Sequence, residues 1–212
     1  MSRLQACFAR LQAEDRKALI PYIMTGDPHP DVTVPLMHAM VKAGANIIEL
    51  GAPFSDPMAD GPVIQAAAER ALEFHVTLDD VFKAVAEFRR LDDVTPIIVM
   101  GYLNLIEVSG YESFARRASE AGIDGVITVD MPPEEAKDYI SALEGGGLDP
   151  VFLIAPTSTS ERIAKIGALA SGFVYYVSLK GVTGAANLDV DSVRQKVEAI
   201  REQIDLPIGV GF

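Results

Sequence analysis

Glu49 interrupts an apolar run, Ile47-Ile48-Glu49-Leu50-Gly51. A carboxylate taken into such surroundings is costly unless it is hydrogen-bonded, paired or neutralised. Two readings follow: Glu49 is bound by backbone N–H groups, or it is an acid–base group whose pKa rises toward the working pH. The segment Gly51-Ala52-Pro53-Phe54-Ser55-Asp56-Pro57-Met58-Ala59-Asp60-Gly61-Pro62 follows directly. Its prolines and glycines exclude regular structure, yet it carries Phe54 and Met58. It is either a compact surface turn with caps at Asp56 and Asp60, or a lid that carries Asp60 across to face Glu49. Two carboxylates from different elements allow one to donate a proton while the other takes one.

Other chemistries have little to work with. Cys7 is the only cysteine, so an internal disulfide and a multi-cysteine metal site are excluded. It shares helical spacing with Leu4, Phe8 and Leu11, which reads as a packed thiol. His29, His38 and His75 lack the paired spacing of metal ligands. With 18 basic and 30 acidic residues the net charge is −12, which opposes nonspecific binding to nucleic acid or anionic membranes. No apolar run reaches the roughly 18 residues that a membrane span needs, and the N-terminus lacks the apolar segment of a signal peptide. The expected setting is the cytoplasm, with no metal.

The elements that must position the carboxylates recur along the chain. Strands are expected at Leu19–Met24, Ile47–Leu50, Pro96–Met100, Gly125–Val129, Pro150–Ile154, Phe173–Val177 and Pro207–Val210. Most are continuously apolar, as strands covered on both faces should be. Six helical regions lie between them. Asp31 is expected to cap the first, with Gly44 ending it; Thr77 caps another, and Ser158 with Glu161 has capping-box spacing. A period of roughly 25 to 35 residues per strand and helix implies a parallel α/β sheet. The absence of G-x-G-x-x-G after the first strand weakens an open dinucleotide-binding sheet. A TIM (β/α)8 barrel is favoured, with this chain covering about strands 1–7. Residues 1–212 then form a single barrel domain, expected to be C-terminally incomplete, because an eighth strand and its helices need about 50 residues more.

In a barrel the residues just past the C-terminal strand ends converge on one mouth. Those positions hold Tyr22 and Thr25-Gly26-Asp27, Glu49, Met100 and Tyr102, Asp130, the loop from Pro156, Tyr175, and Gly181-Val182-Thr183-Gly184.

The run Glu49-Leu50-Gly51-Ala52-Pro53-Phe54-Ser55-Asp56-Pro57-Met58-Ala59-Asp60-Gly61-Pro62-Val63-Ile64-Gln65 closely resembles the signature of tryptophan synthase α subunits. Pro21–Pro28, Met100-Gly101-Tyr102, Asp130–Glu135, Ala155–Thr159 and Tyr175–Gly184 match in the family's order. The resemblance implies a lyase that splits indole-3-glycerol phosphate into indole and glyceraldehyde 3-phosphate by retro-aldol cleavage, in L-tryptophan biosynthesis. It makes Glu49 the principal acid–base residue, protonating indole C3, and Asp60 the carboxylate that accepts from indole N1–H. Tyr22, Met100, Ile127 and Phe212 match the indole pocket, with Tyr22 standing where Phe is commoner. Tyr102 and Tyr175 match polar neighbours of the substrate side chain. Thr183 and Gly184 match a loop that closes over the site, and Gly184 and Gly211 are the phosphate-site glycines that remain in this chain. Pro53 and Asp56 match positions facing a partner β subunit, which carries pyridoxal phosphate in an α2β2 complex; no cofactor is implied for this chain. Another phosphate-handling barrel and a non-catalytic regulatory subunit are the competing readings.

Overall fold

The computed structural model describes residues 2–178 and 190–212; Thr183 and Gly184 therefore lie outside the described residues. The strands are β1 (Tyr22–Met24), β2 (Ile48–Gly51), β3 (Ile97–Gly101), β4 (Gly125–Thr128), β5 (Asp149–Val151), β6 (Leu153–Ile154), β7 (Val174–Val177) and β8 (Ile208–Gly211). All pairings are parallel, in the orders β1-β2-β3-β4-β5 and β6-β7-β8. β5 and β6 are two halves of one extended segment. Its first half pairs with β4 and its second with β7, and the amide of Tyr175 donates to the carbonyl of Phe152 between them. The seven expected strands are thus present, in sequence order, and the fold is a TIM (β/α) barrel.

Helices fill all six interstrand regions. They are α2 (Thr33–Ala43), α3 (Pro62–Glu73) with α4 (Leu78–Phe88), α5 (Leu103–Ser109) with α6 (Tyr111–Ala121), α7 (Lys137–Gly145), α8 (Ser160–Leu169) and α9 (Val190–Arg201). The long interval between the second and third strands holds two helices, α3 and α4. Gly44 ends α2 in the left-handed region at φ 111°, where an L side chain would be strained. Thr77 caps α4 in a reciprocal box with Asp80.

Three local expectations are corrected. The first strand begins at Tyr22 rather than Leu19, because Leu19 is spent on Asn46: its amide donates to the Asn46 side chain and its carbonyl accepts from Asn46 N. The first helical region opens as a 3-10 turn over Pro30–Val32 capped by His29, not as a helix capped by Asp31. Thr159, not Ser158, caps α8; the Ser158 hydroxyl instead accepts from the Ala155 amide one turn earlier.

Alternate residues along the strands build two layers. Outward side chains such as Ile48, Leu50, Ile97, Val99, Val126, Phe152, Val174 and Tyr176 are buried under the helices with Val85, Phe88, Phe114 and Ile166. Inward side chains Ile47, Ile98, Ile127, Val151 and Phe173 meet Leu4, Cys7 and Leu11 of α1 (Arg3–Ala13). That helix plugs one end of the barrel with its apolar stripe, Phe8 lying 5.9 Å from Phe173. Fully burying each such aliphatic side chain contributes about 1.5–3 kcal/mol. Cys7 is part of this plug, and burial pushes its thiol pKa up. With the bottom closed, the opposite end is left for chemistry.

Candidate active site

Parallel register sets Tyr22 of β1 beside Glu49 of β2, and Glu49 beside Ile98 of β3. Further up, Gly51, Met100, Ile127 and Val151 are successive neighbours across four strands. Ile127 is fully buried in the interior cluster, with Met100, Leu153 and Tyr175 packed half-buried against it. Glu49 stands in this apolar surface at 5% exposure, and burial alone pushes its pKa up from 4.5 to about 7. A carboxylic acid that holds its proton near neutral pH can deliver it.

Gly51 shapes the space above Glu49. A Cβ there would collide with the Tyr22 hydroxyl, so the phenol occupies space that any side chain at this position would block. Burial above all, and then the charges of Asp60 and Glu49, raise the pKa of the Tyr22 hydroxyl. Tyr22 thus stands within electrostatic reach of both carboxylates. Tyr175 is likewise raised by burial and by Glu49. On its other side Tyr175 lies against Gly211 of β8, whose missing side chain makes room for the ring.

Asp60 arrives on the loop between β2 and α3. It is half-buried, and burial raises its pKa while a hydrogen bond with Tyr102 works against that rise. The Tyr102 hydroxyl also accepts from the Ala59 amide at 2.9 Å, and the Phe54 ring stacks on Tyr102 at 5.2 Å. Burial first, then the nearby Asp60, pushes Tyr102 up to about 12, so it stays a neutral donor. The next residue, Leu103, is held by Asp130, whose carboxylate accepts from the Leu103 amide at 2.7 Å. The loop thus carries Asp60 to Tyr102, at the start of α5, and within electrostatic reach of Tyr22 on β1.

The other expected positions divide. Phe212 follows β8 at the same end and is 77% exposed. Asp56 is exposed beside the 80%-exposed Met58, whereas Pro53 is buried. Two contributors were passed over. Leu153 shares the inward parity of Val151 and pairs with Tyr175, which alternation along the fifth strand would have indicated. Gln65 closes the family signature, but its carboxamide reaching back to the Asp60 carbonyl at 2.8 Å has no local pattern. Beside the mouth a cavity of about 660 Å³ opens among Thr128, Val129, Leu153, Pro156, Ser158 and Arg162; neither carboxylate lines it. Among the described residues no group of three or more His, Cys, Asp or Glu side chains converges as a metal site would.

Two carboxylates perturbed by burial, above an apolar barrel core and flanked by three neutral phenols, suit proton transfer to and from an aromatic substrate. The sequence profile of the tryptophan synthase alpha chain matches residues 8–212. The chain belongs to the tryptophan synthase alpha chain family. It is 63% identical over its whole length to the tryptophan synthase alpha chain of Thioalkalivibrio sulfidiphilus, spanning 80% of that protein. The alpha subunit of Legionella pneumophila superposes with a TM-score of 0.92 at 46% identity, over all of this chain and 78% of that one. A chain of the tryptophan synthase α2β2 complex of Pyrococcus furiosus gives 0.85 at 38% identity, over 92% of this chain and 78% of its own. As a member of the tryptophan synthase alpha chain family, the protein is a lyase of tryptophan biosynthesis that cleaves indole-3-glycerol phosphate.

Proposed function

We propose that Glu49 and Asp60 divide the cleavage between them. Glu49, protonated near neutral pH because it is buried, delivers its proton to indole C3. Asp60, less buried and bonded to Tyr102, carries the negative charge that accepts from N1–H and stabilises the ring as it turns cationic. With C3 protonated the ring is an electron sink. The bond from C3 to the side-chain carbon breaks, its electrons return to the ring, and the hydroxyl on that carbon loses its proton to become the aldehyde. One proton is added and one removed, so Glu49 is restored within the turnover. Tyr22, Met100, Ile127 and Phe212 serve the indole; Tyr102, Tyr175, Thr183, Gly184 and Gly211 serve the glycerol phosphate.

These steps need only proton transfers and fixed charge, so this chain contributes side chains alone, and pyridoxal phosphate belongs to the β subunit. In the assembly this chain docks on that subunit through the loop face around Asp56 and Met58, with Pro53 shaping the loop from beneath. We place residues 1–212 in one barrel domain and the enzyme in the cytoplasm.

The observation that carries this reading is the burial of Glu49 at the barrel mouth, which raises its pKa to about 7. Glu49→Gln keeps the shape and cannot transfer a proton. Indole release in a single turnover should fall by at least about 10²–10⁴-fold, while the circular dichroism spectrum is unchanged. A folded variant that turns over at the normal rate would remove Glu49 from the mechanism.

A further inference from the structure

We infer that Gln65 is a positioning residue for Asp60, clamping the turn that sets the direction of its carboxylate. The inference rests on the role given to Asp60 above. The loop between β2 and α3 is short of regular bonds. Within it Asp60 is held by its own amide, which donates to the Pro57 carbonyl at 3.1 Å. The Gln65 amide nitrogen then donates to the Asp60 carbonyl at 2.8 Å and, more weakly, to the Pro57 carbonyl at 3.4 Å. One NH2 group therefore bridges the two carbonyls that bracket the turn.

Gln65 can do this because of its place on α3. The helix begins at Pro62 after Gly61, which has no side chain to cap it. The Gln65 amide completes the first helical bond to Gly61 O at 2.9 Å. Its side chain is left free to fold back past the helix start. The anchor is rigid, since Ala67, Ala68 and Ala71 of the same helix are buried against Met24 and Val76. Tyr102 holds the other side of the turn through the Ala59 amide. With both ties made, the backbone on either side of Asp60 is fixed to ordered elements. With Gln65 removed, the Asp60 carbonyl side is free to rotate, and a displacement of about 1 Å at a catalytic group can cost 10²-fold in rate.

The test is Gln65→Met, which matches the length and flexibility of Gln and has no donor. The groups that act on or through the Asp60 carboxylate are Tyr102, at the start of α5, and Tyr22 on β1, which is also in reach of Glu49; Asp130 lies beyond Tyr102. None of them is altered by the substitution. The expected result is a kcat at least tenfold lower, KM within about twofold, and an unfolding midpoint close to that of the parent. The acid limb of the kcat/KM profile should also move to lower pH, because a loosened Asp60 is better hydrated. The alkaline limb near pH 7, set by Glu49, should stay in place. Gln65→Asn, which withdraws the donor by one methylene, serves as a second variant should Met fold poorly, with the same expectation. A normal kcat, or a uniform loss of rate with both limbs unmoved, overturns the inference. The underlying role of Asp60 is checked separately: Asp60→Asn with the parent's rate would end that role, whatever Gln65 does.

Discussion

Burial of Glu49 has a thermodynamic consequence that can be measured without substrate. The folded protein holds the Glu49 proton with a pKa of about 7, against 4.5 for an ordinary glutamate. Between those values the native state binds more protons than the unfolded chain, so stability must fall as pH rises. The difference, 7 minus 4.5, is 2.5 pH units, and at 1.36 kcal/mol each this is about 3 kcal/mol. Glu49→Gln removes the titration and nearly preserves the shape. Relative to the parent the variant should therefore gain nothing below pH 4.5, about half the effect near pH 5.8, and about 3 kcal/mol above pH 8. In a chain of this size that corresponds to roughly 6–12 °C in the unfolding midpoint. Urea unfolding of both proteins at pH 4.5, 5.8, 7 and 8 measures it, and every other titrating group cancels in the comparison. A stability difference that does not change with pH, or one that favours the parent at pH 8, would refute the claim that Glu49 is a desolvated acid.

Two further substitutions test the site and its support. Asp60→Asn should lower kcat by about 10²-fold or more with a smaller effect on substrate affinity, because its charge acts mainly in the transition state; rapid-quench turnover beside equilibrium binding separates the two, and a loss of affinity alone would make Asp60 a binding group. Arg89 pairs with Asp124 at 2.7 Å, their side chains only 9% and 4% exposed, and Arg89 also donates to the Thr95 and Gly122 carbonyls. Arg89→Met should cost about 3–5 kcal/mol in urea unfolding, toward the lower figure because Arg3 still pairs with Asp124 at 3.0 Å; a change under 1 kcal/mol would show that the pair is not needed.

Much of the architecture is written locally. Continuous apolar runs mark strands covered on both faces, and all seven expected positions hold a strand. The end of α2 at Gly44 and the Thr77–Asp80 box follow from backbone conformation and side-chain reach within one turn. Where several residues could satisfy the same local role, sequence chose wrongly, as with Ser158 and Thr159. Leu19 is another case: its amide and carbonyl are both taken by Asn46, 27 positions away, a choice no window around Leu19 reveals.

The site divides in the same way. That Glu49 is anomalous is visible in five residues, since a charge inside an apolar strand has no local excuse. Its pKa is not visible, because desolvation depends on everything packed around it: β1 and β3 alongside, and the inward side chains of the barrel. Sequence likewise left Asp60 as a turn cap or a lid residue. What the chain pattern does not contain is the contact of Tyr102, 42 positions on, with the Ala59 amide and the Asp60 side chain. Room for the Tyr22 phenol came from Gly51, whose missing Cβ matters only once Tyr22 packs against it. Sequence thus determined which chemical groups the mouth contains, because types and periodicity are properties of the chain. Burial, direction and mutual distance were set by packing between segments far apart in the chain, because solvation and hydrogen bonding act through space.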